Sequence, residues 1–387
     1  MEKLNALAIT MWDFSWIERR WPGAGFEDID RALDELVERG YNAVRIDAFP
    51  HLIAKDPYRE WTLLPVWYSN DWGSPYKNRI TLCPALPDFL RKCRSHGVKV
   101  ALSSWYREDI DNTRMEITSP AKMAANWTAV LDLISREELL DTILYVDLCN
   151  EWPGEFWAPY FENTPKGATW GCWQTAASMK YMRESVELIR ERYDNIPLCF
   201  SFDSTGYNDY REQDLSFFDL VEHHIWMPQM NNYEFYNLVG KSPNGRWSDE
   251  SYHLLSDNAE RVYNERPGYW QRLLTDGIRE LADSVATQKL MLATTECWGI
   301  VDYKDYPLLS WDWVKELCEL GVKTALDTNR WAIVATSNFA CPQFVGMWRD
   351  VDWHKRLTTL IKSKEIPADM PGDRLGRCMK YKKEEML

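Results

Sequence analysis

The chain has 387 residues, 45% of them hydrophobic, with a formal net charge of -14. That apolar content supports a sizeable core. The acidic balance argues against nucleic acid or an anionic membrane as partner, because both need concentrated Lys and Arg, and no apolar run is long enough to span a bilayer.

The first strand-like run covers about 4–12 and ends in Trp12, Asp13 and Trp16. A helix follows over about 25–40, with Ile29, Leu33, Leu36 and Val37 on one face and Gly40 as its C-terminal stop. A second strand spans 41–51 and a loop rich in Trp, Tyr and Pro runs over 52–82. A helix at about 85–96 precedes a third strand at 98–106, and a helix near 119–140 precedes a fourth at 143–153. The fourth begins as the β-branched run Ile143-Leu-Tyr-Val and ends in Asn150-Glu151. Beyond it lie a helix at 171–193, a fifth strand at 196–203 and a sixth at 220–226. Residues 229–267 read as an aromatic and polar insertion. A helix at 268–286 leads to a seventh strand at 289–298, one from 311 to 326 leads to an eighth at 331–339, and a helix at 351–363 closes the pattern.

Strand followed by helix counts eight times, though the unit between strands five and six is short, which predicts an α/β fold and specifically a closed (β/α)₈ TIM barrel with long loops after the strands. No linker, composition break or repeat divides the chain, so it reads as one domain over 1–387. The open doubly wound sheet is the runner-up and lacks its Gly-rich phosphate turn. The nine cysteines contain no C-x-x-C pair and read as small hydrophobes. Nothing at the N-terminus has the form of a signal peptide, so the expected location is cytoplasmic, although a chain whose leader had been removed would read the same. No pattern sets an oligomeric state.

A barrel of this kind presents chemistry at the C-terminal ends of its strands. Those ends carry Asp13, Arg45 with Asp47 and His51, Trp105 and Tyr106, Asn150 and Glu151, Asp203, His223 with His224 and Trp226, Glu296 and Trp298, and Asn338. Two glutamates, Glu151 and Glu296, are therefore expected at one rim. Paired carboxylates can cleave a glycosidic bond, one acting as acid and then base while the other attacks the anomeric carbon or activates water. This chemistry needs no metal or cofactor. The aromatic excess, 21 Trp with 19 Tyr and 13 Phe, fits a carbohydrate partner, since the apolar faces of sugar rings lie against such platforms, although many of these residues belong to a core.

Four motifs in register resemble clan A glycoside hydrolases, in particular the family 5 cellulase-like group. Gly40-Tyr-Asn-Ala-Val-Arg-Ile46 resembles the second-strand signature, Asn150-Glu151 the fourth-strand Asn-Glu, His224-Ile-Trp226 the sixth-strand His-x-Tyr, and Thr295-Glu296 the seventh-strand nucleophile. The resemblance spans roughly residues 5–345. It implies Glu151 as acid/base, Asn150 on the sugar 2-hydroxyl, Glu296 as nucleophile in a retaining mechanism, and Arg45 and His224 orienting nucleophile and sugar. Three departures stand out: Trp226 where the clan has a Tyr that bonds the nucleophile, with Tyr106 and Tyr233 as candidate replacements; no His at the end of strand three; and Asn338-Phe339 where strand eight usually has a platform Trp.

The remaining candidates are substrate-binding ones: Trp105 and Trp298 as platforms, with Asp13, Asp203 and Trp226. Arg45 could instead be an ion pair inside the barrel, to Asp47 or Glu296. Neighbouring strand residues face opposite ways, so only one of His223 and His224 points inward, expected to be His224. His51 reads as a loop residue. Glu155 (in a loop) and Glu222 (too early in its strand) rank below Glu151. The rival classes are a non-catalytic sugar-binding barrel and a metal-dependent hydrolase, the latter lacking a strand-one H-x-H.

Overall fold

The computed structural model describes residues 4–66, 73–161, 173–203, 209–240, 248–301, 303, 309–367 and 372–380. Its centre is a ring of parallel strands: β1 Leu7–Thr10, β2 Ala43–Asp47, β3 Lys99–Ser103, β4 Ile143–Asp147, β5, β6 Leu220–His223, β7 Met291–Thr294 and β8 Trp331–Ala335. β5 comes in two pieces either side of Phe200: Leu198–Cys199 pairs with β4, and Ser201–Phe202 pairs with β6. β8 pairs with β1, so the sheet closes on itself as a (β/α)₈ barrel. A two-residue extension of β6, Ile225–Trp226, runs parallel to Cys297–Trp298 beyond the ring and holds the ends of β6 and β7 together.

The outer helices are α1 Ile29–Glu38, α2 Leu82–Ser95, α3 Pro120–Arg136, α4 Ala176–Arg190, the single turn α5 Asp209–Glu212, α6 Met230–Val239, α7 Asp249–Glu265, α8 Pro267–Val285, α9 Asp312–Asp327 and α10 Val351–Ser363. Local chemistry sets their ends. The Asp28 carboxylate accepts the Arg31 amide at 3.1 Å at the start of α1, and Gly40 leaves it at φ +84, where a Cβ would lie 2.4 Å from Thr358 Oγ1. α1 turns Ile29, Ala32, Leu33 and Leu36 to the barrel; Val37, expected on that face, is 41% exposed.

Three readings of the chain need correction. The predicted strands overrun, because the polar residues after each apolar run are buried as loops and not paired as sheet: β4 stops at Asp147, so Asn150 and Glu151 lie in a turn. The loop at 52–82 contains an antiparallel hairpin, Trp61–Leu63 with Asn78–Ile80. The stretch 229–267 contains two helices, α6 and α7. Many tryptophans are core: Trp16, Trp61, Trp127, Trp152, Trp173, Trp270, Trp331 and Trp353 are fully buried. The described cysteines are free, most of them buried, and among the described residues no helix is long and apolar enough to cross a membrane.

Candidate active site

Arg45 stands at the middle of the C-terminal end of the ring. It points inward from β2, is fully buried, and has every guanidinium nitrogen engaged. Nε donates to Asp13 Oδ1 at 2.9 Å, Nη1 to Glu222 Oε1 at 3.2 Å, and Nη2 to Asn150 Oδ1 at 3.0 Å and to Glu296 Oε1 at 2.7 Å. Asp147 Oδ2 lies 3.9 Å from Nη1. The planar fork of an arginine suits such a set of acceptors, because each contact fixes the direction of the others. Arg45 is thus an interior ion pair, with Asp13 and Glu222 as well as Glu296. Asp47 is not its partner: its oxygens accept the amides of Phe49 at 2.7 Å and Trp105 at 2.9 Å.

His224 bridges the two strand-end glutamates. Its Nδ1 is 3.0 Å from Glu151 Oε1 and 3.7 Å from Glu296 Oε1, while Nε2 faces Glu222 Oε1 at 3.6 Å and Arg45 Nη1 at 3.1 Å. One oxygen of Glu151, one of Glu296 and one nitrogen of His224 all lie within 4.8 Å of each other. Glu151 has φ +48, a left-handed conformation that a residue with a Cβ adopts at some cost, and its amide donates to Ser201 Oγ at 2.9 Å. Within the cluster, Asp13, Arg45, Asp147, Glu222 and His224 are wholly buried, whereas Glu151 and Glu296 keep 7% and 5% exposure. The two glutamates are the acids of this cluster that reach the surface.

Burial acts on each charge. It raises the Glu296 carboxyl to about 7, with His224 and Arg45 opposing and Glu151 adding to the rise. Burial would lower the His224 imidazole, but the carboxylates of Glu296, Glu151 and Glu222 outweigh it and bring it to about 10. Burial would also raise Glu222, yet Arg45, His224 and Thr295 hold it at about 2. Asp13 is raised by burial, against Arg45 and Trp105.

The structure gathers Asp13, Arg45, Asn150, Glu151, His224 and Glu296. Trp105 joins through its indole N–H, which donates to Asp13 Oδ2, and Trp226 through ring contact with His224 at 5.7 Å. Asp203 lies just beyond β5, 6% exposed. Two candidates lie elsewhere. Tyr106 is fully buried and donates to Leu148 O at 2.9 Å, so it cannot take the place of the Tyr missing from strand six. Trp298 is fully buried, donates to Ala335 O at 2.9 Å, and lies where a Cβ on Gly321 would be 2.6 Å from its ring, so it is no sugar platform. Both have positive φ, +43 and +106. His223 is the outward one of its pair, bonded to Tyr210 at 2.6 Å and held neutral by burial, which lowers it to about 3. His51 binds Arg107 O at 3.1 Å, and Glu155 is exposed.

Two residues of the cluster were ranked low or missed. Glu222 shares strand parity with His224, so the alternation that turned His224 inward also turned Glu222 inward. Trp157 donates its indole N–H to Glu151 Oε2 at 3.1 Å and meets Trp105 edge-on at 4.7 Å. It sits on an irregular loop, where no periodicity marks it.

Glu151, His224 and Glu296 could each offer one ligand atom to a metal ion. Arg45 Nη2 is hydrogen-bonded to Glu296 Oε1, so a cation held by this carboxylate would meet a fixed positive charge at close range.

A parallel barrel with an Asn-Glu pair after β4 and a Glu after β7 is the arrangement of clan A glycoside hydrolases. The comparisons agree with it: a family model described as sugar-binding cellulase-like matches residues 9–362, and the chain belongs to that cellulase-like family. It is similar to a solved structure named a "putative glycoside hydrolase" from Parabacteroides distasonis ATCC 8503, with 53% identity over 97% of this chain and 99% of that one, at a TM-score of 0.93. It shares the fold of PbGH5A, a glycoside hydrolase family 5 enzyme from Prevotella bryantii B14 crystallised with a xyloglucan tetradecasaccharide, at 13% identity, 92% and 99% coverage and a TM-score of 0.50. No curated protein matches the chain.

Proposed function

We propose that this protein is a retaining glycoside hydrolase acting on a β-linked oligo- or polysaccharide, with Glu296 as nucleophile and Glu151 as acid/base. The observation that carries the reading is that one carboxyl oxygen of Glu151 and one of Glu296 lie within 4.8 Å of each other beside His224. A separation of roughly 5–5.5 Å serves direct attack by one carboxylate, whereas inversion needs about 6.5–9.5 Å to admit a water.

In the first step a Glu296 oxygen bonds to the anomeric carbon, the bond to the leaving oxygen breaks, and the Glu151 proton goes to that oxygen. In the second, Glu151 takes a proton from water, the hydroxyl bonds to the anomeric carbon, and the Glu296 ester opens. Arg45 donates to the attacking carboxyl group in place of the missing Tyr. Asn150 Nδ2 and both amide atoms of Asn338 are buried without partners among the described residues, which suits groups that bind sugar hydroxyls. The β linkage and the role of each residue come from the family resemblance.

Glu151→Gln separates this reading from a barrel that binds sugar without turnover. With an aryl β-glycoside whose phenol is a poor leaving group, kcat should fall roughly 10²–10⁴-fold, the worth of a general acid. With a dinitrophenyl leaving group, which needs no proton, the first step should be nearly unaffected. Calorimetric binding of oligosaccharide with no product from either enzyme would support the binding-only barrel.

The pH profile gives a second check. Glu296 must be ionised to attack and its carboxyl titrates near 7, so kcat/KM should fall about tenfold per pH unit below that value. An acid limb near 4.5 would mean that another group sets it.

A further inference from the structure

We propose that Glu222, to which the reaction above gives no step, is a positioning residue: from beneath the site it aims Arg45 at Glu296 and His224 at Glu151. The inference rests on the assignment of those two glutamates.

Glu222 lies one layer deeper in the barrel and is fully buried, so substrate cannot touch it. Its Oε1 takes Arg45 Nη1 at 3.2 Å and the Thr295 hydroxyl, its Oε2 takes the Tyr145 hydroxyl, and His224 Nε2 stands 3.6 Å away. The partners come from across the barrel interior: Arg45 from β2, Tyr145 from β4, His224 from just after β6 and Thr295 from just after β7. Glu222 is anchored on both oxygens and does not follow the groups that it orients.

Two consequences follow for the reacting pair. With Nε fixed on Asp13 and Nη1 on Glu222, the guanidinium plane has one direction left for Nη2, which points at Glu296 Oε1, 2.7 Å away. On His224, a carboxylate facing Nε2 offsets the adjacent guanidinium and lets the ring keep a proton on that side, leaving Nδ1–H for Glu151 Oε1 at 3.0 Å. A neutral side chain at 222 would leave the ring facing Arg45 alone on its Nε2 side. Among the described residues, the charged and titratable groups around Glu222 are Arg45 from β2, Tyr145 and Asp147 from β4, Cys199 from β5, His223 and His224 beside it, Cys297 after β7 and Asp13 after β1, with Glu296 reached through Arg45 and His224.

The test is Glu222→Gln beside Glu222→Asp, read in two ways. In an NMR titration of labelled histidine, Glu222→Gln should lower the His224 pKa by about one unit or more, and Glu222→Asp should stay nearer the wild type. In turnover of an aryl β-glycoside, Glu222→Gln should lower kcat on the order of 10- to 100-fold, the cost of slightly misplaced reacting groups, with KM within about twofold. If Glu222→Gln fails to fold, the Asp variant, whose carboxylate is drawn back by one methylene, should still lower both. A folded Glu222→Gln with unchanged His224 titration and unchanged kcat would overturn the proposal and leave Glu222 a structural ion. If the wild type hydrolyses no glycoside, the assignment of Glu151 and Glu296 fails, while the His224 titration still decides what Glu222 does.

Discussion

Glu296→Gln is expected to abolish glycoside hydrolysis while leaving the fold intact. The amide keeps the shape of the side chain and removes the nucleophile, and loss of a group that forms the covalent bond costs on the order of 10⁴-fold or more in kcat. Unlike the Glu151 variant, it should fail equally with good and poor leaving groups, because a better leaving group removes the need for a proton but does not supply the missing nucleophile. The same change should not destabilise the protein. The Glu296 carboxyl is raised to about 7 by burial, so the folded state binds its proton more tightly than the unfolded chain, and its charge opposes folding once the pH passes from the ordinary carboxylate range through about 7. At pH 8 a neutral glutamine removes that cost, and urea denaturation should find the variant as stable as the wild type or more so. Lower activity with equal or higher stability is the mark of a site held under electrostatic strain.

Arg45→Met should do the reverse and act mainly on stability. Arg45 is the shared counter-charge of Asp13, Glu222 and Glu296, all buried. Removing one partner of a buried ion pair leaves an uncompensated charge and costs roughly 3–5 kcal/mol. The pH dependence carries the signature. In the wild type burial would raise Glu222, but Arg45 together with His224 and Thr295 brings it to about 2, so its contribution to stability is present above the ordinary glutamate range and is lost as the pH falls through about 2. Without Arg45 burial prevails, the carboxyl rises, and its contribution changes sign, so the variant should be weaker at pH 8 than at pH 5. A loss below about 1 kcal/mol at pH 8 would show that the guanidinium is not the counter-charge its contacts make it.

The sequence carried the barrel because each strand is an apolar run short enough to be a buried parallel strand and all but the fifth are followed by a full helix, the fifth by a single turn. The same logic extended the strands too far, since Asn150, Glu151 and Glu296 follow apolar residues but lie in turns held by side chains such as Ser201. The helix α7 was also there to be read: Tyr252, Leu255, Ala259, Val262 and Tyr263 are buried at helical spacing, although the stretch reads at first as an aromatic insertion.

At the site, parity along a strand placed His224 inward and, applied once more, would have placed Glu222 beneath it. What no pattern encodes is the direction of a side chain on a loop. Tyr106 follows Trp105 and Trp298 stands two residues after Glu296, yet both side chains are fully buried in the core. Trp157, six residues past Glu151, is brought back to it by a loop with a turn at Gly154.

The most direct measurement is the configuration of the first product. Proton NMR during early hydrolysis of a β-glycoside should show the β-anomer appearing first, with the α-anomer growing only by mutarotation, because two displacements at the anomeric carbon restore its configuration. An α-anomer formed first would mean a single displacement by water and would contradict Glu296 as nucleophile.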